Sequence, residues 1–429
     1  MLARMSGEPK RGQTADHVDP QLPSSRRPEP VLLVGFPKPA VLDVPLGQPV
    51  GRDWLAEHGL ADAEVSASHL RFDKSRQGVV VRDVGSRNGT WLNGRLLPPN
   101  DKQLLAEGAV IRLGRTLMVY RGALLGEREP APPLGHLVGP FGLRGVRANI
   151  EALARREPRN VLLEGETGSG KELAASAVAN ALGRAHAFAP VNVAGVASGV
   201  FESQLFGHVA GAFSGATQAS QGVVQAHDGG VVFLDEIGEL SLELQPKLLR
   251  LLENREILPV GAERPVLVDV CILAATNRHL EVMVEQGTFR RDLLARLSMA
   301  RLRLPPLRDR AEDIFSIARA VAPRVRLELP PESCEVEAVE RLLLERWETN
   351  VRGLLAALAQ IATIDPSPGL RLWAIDEVLG ARADAVGAPL MVSTVRAALE
   401  ACDGNESKAA RRLGVSRGKL RRFLGKSPS

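Results

Sequence analysis

Val161-Leu162-Leu163-Glu164-Gly165-Glu166-Thr167-Gly168-Ser169-Gly170-Lys171-Glu172 begins as an apolar run and breaks into a loop with three glycines. From Lys171, the apolar residues Leu173, Ala174, Ala177, Val178, Ala181 and Leu182 recur at helical spacing. Strand, glycine loop and helix in this order form the setting of a phosphate-binding loop. The glycines let successive backbone N–H groups converge on one anion, and the helix N-terminus adds its positive end. Lys171 supplies a point charge for β- and γ-phosphates. Glu172 departs from the general pattern, which places a magnesium-binding Ser or Thr there. An incidental glycine turn would not need the flanking strand and helix.

Working outward, 429 residues are too many for one core and imply two to four domains. Apolar content of 45% and charged content of 24% are those of globular chains. The net charge of +4 is small, but its distribution is uneven and the C-terminal end is strongly basic. Cys271, Cys334 and Cys402 lack metal-ligand spacing and, being few and odd in number, suggest a reducing compartment. No run reaches the ~18 apolar residues a membrane span requires, and no apolar signal region stands at the N-terminus. The expectation is a cytoplasmic protein with no membrane partner.

The texture divides the chain. Residues 1–30 are polar and proline-bearing and read as a disordered tail. Short apolar runs divided by glycine turns predict a small all-β domain over 31–121, and 122–134 reads as a linker. Over 135–365 strands alternate with helical patterns, predicting an α/β domain with a parallel sheet that turns mostly helical from about 308. A connection over 366–387 with a short helical patch leads to a small all-α unit at 388–429.

Within the α/β domain, Val231-Val232-Phe233-Leu234-Asp235-Glu236 is a buried-strand pattern delivering two carboxylates at its carboxyl end, where such sheets place ligands. Asp235 would hold Mg2+, directly or through water, and Glu236 would polarise an attacking water. Between the two strands lies Gln204-Leu205-Phe206-Gly207-His208-Val209-Ala210-Gly211-Ala212-Phe213-Ser214-Gly215-Ala216. Such small residues cannot build a core. Phe213 either tucks back into the domain or is offered to a partner.

Gly211 to Ala216 resembles the Gly-Ala-Phe-Thr-Gly-Ala signature of sigma-54-dependent transcriptional activators, a group of AAA+ ATPases, with Ser214 in place of Thr. The resemblance covers 135–365 and implies that Gly211, Ala212, Phe213, Ser214, Gly215 and Ala216 contact sigma-54. It makes Glu172 an expected residue. It implies nucleotide contacts at Val138, Gly139, Gly165, Glu166, Thr167, Gly168, Ser169, Gly170, Lys171, Glu172, Asn192, Asn277 and Arg352. Asn192 resembles the residue that holds the catalytic Glu between turnovers, Asn277 belongs to the sensor I segment, and Arg352 is the sensor II Arg. Arg290 and Arg296, in Phe289 to Leu297, match the arginine fingers that act on a neighbouring subunit's nucleotide, which implies a homo-oligomeric ring, usually a hexamer. Glu348-Thr349 stand where Pro-Gly is usual, Gly353 replaces Glu, and Cys271 replaces a frequent Arg.

The β domain carries Gly51-Arg52, Ser66-Ala67-Ser68-His69, Asp83 to Thr90 and Asn93-Gly94. This set resembles a forkhead-associated (FHA) domain, a sandwich whose loops hold a phosphothreonine peptide. The residue types suit that task, since a guanidinium and a hydroxyl bind phosphate and an amide reads a peptide backbone. The resemblance implies Arg52 and Ser66 on the phosphate, Asn88 on the peptide main chain, and Arg87 on the phosphate or beside it, with His69 bracing the loop.

At the C-terminal end, helical spacing over Val395 to Cys402, a turn at Asp403-Gly404-Asn405, a second helix from Glu406 to Leu413 and an N-cap at Ser416 predict a helix-turn-helix. Its many Lys and Arg residues oppose only Glu406, suiting phosphate contacts. It resembles the Fis-type DNA-binding domain, with Arg417, Lys419, Arg421 and Arg422 as DNA contacts.

Together these readings describe a multidomain regulator. ATP hydrolysis with Mg2+ remodels the sigma-54 RNA polymerase complex, enhancer DNA is bound at the C-terminal end, and a Ser/Thr kinase pathway acts through a phosphothreonine protein. The alternative is a phosphopeptide-binding, DNA-bound regulator or scaffold with a degenerate ATPase.

Overall fold

The computed structural model describes residues 29–124, 126–195, 197–380, 392–402, 404–413, 420 and 423–425. The DNA-contact candidates Arg417, Lys419, Arg421 and Arg422 lie outside them. The fold class is as expected from the sequence: a β-sandwich, an α/β unit with a helical lid, and helices at the C-terminal end.

The sandwich has one sheet ordered Ala40–Asp43, Val31–Phe36, Thr116–Arg121, Val110–Leu113, Thr90–Leu92, Arg95–Leu96, and a second ordered Pro49–Val50, Leu70–Ser75, Gly78–Asp83, Gln103–Leu104. All strand pairs are antiparallel. Leu32, Val34, Ile111, Leu113, Met118 and Tyr120 point between the sheets with Leu70, Phe72 and Val81. The alternate residues Val110, Leu117 and Val119 are also buried, but in the core of the lid, and Phe36 joins them because the strand register shifts between Val34 and Phe36. Burial on both faces explains why these strands read as continuous apolar runs without alternation.

The α/β unit is a parallel five-stranded sheet ordered Phe188–Asn192, Val231–Asp235, Cys271–Thr276, Asn160–Glu164, Arg301–Arg303. Packed against one face is the helix Lys171–Ala181, whose Ala174, Val178 and Ala179 bury against Val161, Leu163 and Phe233. The other face meets Phe201, Leu205, Leu248 and Leu293. Residues 126–132, expected as a linker, lie along the helix Arg144–Arg156: the Arg144 guanidinium donates to the carbonyls of Glu127 and Glu129, and that of Arg147 to Pro132.

The lid is built from the helices Ile314–Val321, Val336–Leu343 and Asn350–Ile364. It does not stop at residue 365, where the sequence reading placed a connection. Leu372–Leu379 is a fourth helix, with Ala374 and Ile375 in the lid core beside Leu370. Gly369 lets the chain turn in: its N–H donates to the Glu328 carbonyl at 2.7 Å, and a Cβ there would stand 2.0 Å from the Ser333 carbonyl oxygen. An eight-residue helix between polar stretches carries too little periodicity to reveal its docking, which long-range packing alone supplies. In the C-terminal unit the helices Val392–Glu400 and Glu406–Arg412 bury Val395, Ala398, Ala409 and Ala410 against Leu420. The Asn405 side chain accepts from the Lys408 N–H at 3.1 Å, capping the second helix.

Candidate nucleotide site and neighbouring surfaces

The glycine loop closes over its own lysine. Gly168 (φ 73°) and Gly170 (φ 103°) take left-handed conformations that L side chains resist, and Gly170 caps the helix that starts at Lys171. A Cβ on Gly165 would stand 2.9 Å from Ser169 Oγ and 3.2 Å from Leu304. Lys171 Nζ donates to the carbonyls of Gly165 (2.9 Å) and Glu166 (3.1 Å). Burial pushes its pKa below the ordinary value; Asp235 and Glu236 oppose that shift, and Arg352 adds to it. Thus groups distant in sequence from three separate segments, Asp235-Glu236, Arg352 and Lys171, share one electrostatic environment. Ser169 Oγ is buried without a hydrogen-bond partner inside the same loop.

Asp235 ends its strand and accepts from the Glu236 N–H at 3.0 Å. Glu236 itself adopts φ 59°, ψ 46°, a strained left-handed conformation for a non-glycine residue. Asn192 lies opposite Asp235 on the neighbouring strand, its side-chain oxygen accepting from the Ala194 N–H at 2.8 Å. Asn277, after the central strand, donates to Thr167 Oγ1 at 2.9 Å, and so stands directly on the phosphate loop. Glu172 lies in the first turn of the helix after the loop. Leu137 is buried at the start of the unit, and Val138 packs on the lid. A Cβ on Gly139 would press to 2.5 Å from Leu143 and 3.0 Å from Asp313 Oδ2.

The lid touches the loop through Asn350 and Arg308, to which the sequence assigns no site role. Asn350, fully buried at φ 55°, accepts from the Leu307 N–H (2.7 Å) and donates to Glu166 Oε2 (3.1 Å) and the Thr167 carbonyl (3.0 Å). Arg308 grips the Glu166 carboxylate with two bonds of 2.6 and 2.8 Å. Those bonds from Arg308, then Asn350, hold the Glu166 carboxyl down to about 2. The Val351 N–H donates to the Gly168 carbonyl at 3.0 Å, and a Cβ on Gly168 would collide with the Thr349 oxygen at 2.2 Å. With Glu348-Thr349 in place of Pro-Gly, the stretch still seats Arg352 beside the loop. The one signal available was an Asn at a helix start, since Asn tolerates left-handed backbone.

Asp313, wholly buried, accepts the N–H groups of Phe141 and Gly142 at 2.9 Å each. Burial pushes its carboxyl up to about 7. A carboxyl raised from 3.8 stabilises the fold fully below its unfolded value, and that contribution is lost as pH rises through about 7. Asp313→Asn removes the titration while keeping the shape. The fall in melting temperature from pH 5 to pH 8 should therefore be shallower in the variant than in the wild type when both are scanned across that range.

Arg290 and Arg296 stay apart from this cluster. Arg290 binds Asp292 through two bonds (3.0 and 2.7 Å), and Arg296 Nε donates to Glu253 at 3.0 Å; both are exposed. Arg296 lines a broad cleft of about 1220 Å³ with Arg156, Glu253, Met299 and Arg301 on the domain edge.

Phe213 is 47% exposed, at the tip of a loop that is otherwise pinned. Ala216 is buried, and the Gly211 N–H donates to its carbonyl at 2.7 Å, while the Ala216 N–H donates to the Phe213 carbonyl at 3.0 Å. His208 holds the base: its ring contacts Ser203 Oγ (2.7 Å) and the Gln218 carbonyl (3.0 Å), and its backbone pairs with Ser220. The Phe213 and His208 rings lie 5.0 Å apart. Ser214 and Gly215 are exposed beside them.

In the sandwich, Arg52, Ser66, Arg87 and Asn88 gather at one end. The Arg52 N–H donates to the Ser66 carbonyl (3.0 Å), the Arg87 N–H to Ser66 Oγ (3.1 Å), and Asn88 Nδ2 to the Glu64 carbonyl (2.6 Å). His69 is buried beneath, accepting at Nδ1 from the Ser66 N–H and bonding the Gly89 carbonyl through Nε2. Asp83 anchors the second loop by accepting from Gly85, Ser86 and Thr90; its burial is outweighed by these bonds, and its carboxyl lies below the ordinary value.

Among the described residues no helix is long and apolar enough to cross a membrane, and no cluster of three or more His, Cys, Asp or Glu is arranged to hold a metal. Residues 142–303 match the sigma-54 interaction domain, 49–114 the FHA domain, and 395–426 the Fis family of bacterial regulatory proteins. The chain is 39% identical over 292 residues to the transcriptional regulatory protein FlbD of Caulobacter vibrioides, covering 62% of this chain and 64% of that protein. It is 41% identical over 277 residues to the anaerobic nitric oxide reductase transcription regulator NorR of Aeromonas hydrophila, covering 62% and 54%. It therefore spans less than two thirds of the length of these curated relatives. The crystal structure of NtrX from Brucella abortus in complex with ADP superposes with a TM-score of 0.50 at 26% identity, over 66% of this chain and 68% of that one. The chain thus combines, in order, a segment matching the FHA domain, one matching the sigma-54 interaction domain and one matching the Fis family of bacterial regulatory proteins.

Proposed function

We propose that the protein hydrolyses ATP to remodel sigma-54 RNA polymerase at promoters whose enhancer DNA it binds. The observation that carries this reading is the glycine loop closed around Lys171, with Asn277 donating to Thr167 and the Val351 N–H, next to Arg352, donating to the Gly168 carbonyl. The loop's N–H groups and Lys171 hold the β- and γ-phosphates, Asn277 reaches the γ-phosphate side through Thr167, and Glu236 orients the attacking water. The donor set at Asp235 fits a magnesium ion, which needs one or two carboxylates besides phosphate oxygens and would neutralise charge on the phosphates. Arg290 and Arg296 are exposed and paired with the surface carboxylates Asp292 and Glu253, as suits residues that complete a neighbouring subunit's site in a ring, a hexamer by the family resemblance.

Arg52, Ser66, Arg87 and Asn88 take a phosphothreonine peptide from a Ser/Thr kinase pathway, and Arg417, Lys419, Arg421 and Arg422 contact DNA. Replacing Arg52 by Ala removes a charge-assisted phosphate contact worth about 2 kcal/mol. Phosphothreonine peptide affinity, measured by fluorescence anisotropy on the full chain, should fall at least about tenfold, while the unphosphorylated peptide binds neither protein. For the whole reading, the deciding experiment is ATP-dependent conversion of a sigma-54 promoter from closed to open complex. ATP turnover without that conversion would leave an ATPase with another client.

A further inference from the structure

The sandwich is not tethered loosely to the ATPase unit. Phe36, Val110, Leu117 and Val119 complete the lid core, with the Phe36 and Phe315 rings edge to face at 4.9 Å. Gly35 brings its backbone so near the lid that a Cβ would stand 3.0 Å from the Glu312 carbonyl oxygen. Arg112, only 4% exposed in its side chain, lies over the Trp91 ring at 4.2 Å and pairs with Glu340 (2.8 Å) and Glu337 (3.4 Å) of the lid. Buried charges of this kind tolerate little displacement, because breaking one pair strands the other charge.

Two routes lead away from this interface. On the lid side, Arg121 binds both oxygens of Glu312 (3.2 and 2.7 Å) and the Asp309 carbonyl (2.7 Å). Flanking those residues, Arg310 is buried and donates to the carbonyl of Ser169 in the phosphate loop at 3.3 Å, while Asp313 holds the backbone at Phe141 and Gly142. On the sandwich side, the Arg115 guanidinium donates to the Pro331 and Cys334 carbonyls of the lid (3.2 and 3.3 Å), and its own N–H donates to Asp62 Oδ2 (2.7 Å). Asp62 opens the short segment that carries Glu64, the acceptor for Asn88, and Ser66. Hydrogen bonds and short chain segments thus connect the nucleotide loop and the phosphate-recognition loops across one interface.

We propose that the FHA sandwich is a fixed extension of the ATPase lid, and that occupancy of its phosphate-recognition loops and of the nucleotide site are thermodynamically linked through Arg121–Glu312 and Arg112–Glu340. The peptide half of this linkage rests on the phosphothreonine reading above. Linkage is reciprocal: the factor by which one ligand alters the other's affinity is the same in both directions.

The test uses the full chain, a fluorescent ADP analogue, and the best-binding phosphothreonine peptide from a degenerate library. In the wild type, saturating peptide should change ADP affinity by at least about fivefold, and ADP should change peptide affinity by the same factor. In Arg121→Gln both ligands should still bind with that factor reduced to near one, whereas Arg121→Lys should restore part of it. Arg112→Gln is the second variant should the first fail to fold. Wild-type protein that binds both ligands with no mutual effect, or a factor unchanged in these variants, overturns the linkage and leaves the phosphothreonine reading standing. Should no peptide bind, that reading falls, and hydrogen exchange decides the linkage. ADP should slow amide exchange across Thr116–Arg121 in the wild type and not in Arg121→Gln; equal exchange with and without ADP overturns it.

Discussion

Lys171→Ala is expected to lower steady-state ATP turnover of the full chain on the order of a hundredfold or more, the scale seen when a single preorganised donor is removed from a developing anion. Lys171 is 9% exposed, and its ammonium spends its donors on the Gly165 and Glu166 carbonyls, within the influence of Asp235 and Glu236. That arrangement needs little reorganisation to transfer the donors to phosphate oxygens. Glu236→Gln provides the complementary split. Removing the group that polarises water should reduce kcat and leave nucleotide affinity near wild type, whereas Lys171→Ala should weaken both. Phosphate release and nucleotide affinity, measured on the same preparations, distinguish the two. Turnover in Lys171→Ala equal to wild type would remove the ATPase reading and leave a DNA-bound phosphopeptide scaffold.

Phe213→Ala should abolish retention of purified sigma-54 in the presence of ADP and a metal-fluoride phosphate mimic, while ATP turnover stays within about twofold of wild type. A large aromatic side chain at the centre of a contact is worth about 2 kcal/mol or more, roughly a thirtyfold loss of affinity. The structure makes the expectation specific. Phe213 is exposed, its ring neighbour among the described residues is His208, and the loop below it is secured by the Gly211–Ala216 and His208–Ser220 backbone bonds. Truncation should therefore delete a contact without collapsing the loop. Retention of sigma-54 by the variant, read on native gels, would reassign the loop to packing. Ser214 keeps the hydroxyl of the usual Thr and stands exposed beside Phe213, so Ser214→Thr should retain sigma-54 at least as well as wild type in the same assay.

Short-range chemistry was legible along the chain. Val161 to Lys171 has the residue order that only a strand, a tight glycine loop and a helix can accommodate, and Val231 to Glu236 the order of a buried strand ending in carboxylates. Both follow from local rules: period, glycine backbone freedom and strand-end polarity. The positions of Asp235, Asn277 and Arg352 could be anticipated because each belongs to a short motif. The partners of Asn350, Arg308 and Asp313 could not, since a side chain carries no local mark of the distant group it will bond.

By itself, then, the sequence determined the three kinds of unit in this protein and the strand, glycine loop and helix around Lys171. Tertiary structure alone decided that Leu372–Leu379 completes the lid and that the sandwich is fused to it. The physical reason lies in Val110 to Leu113 and Thr116 to Arg121. An apolar run states that both faces of a strand are buried but not against what, and only the lid's helices supply the second partner that Phe36, Val119, Arg112 and Arg121 require.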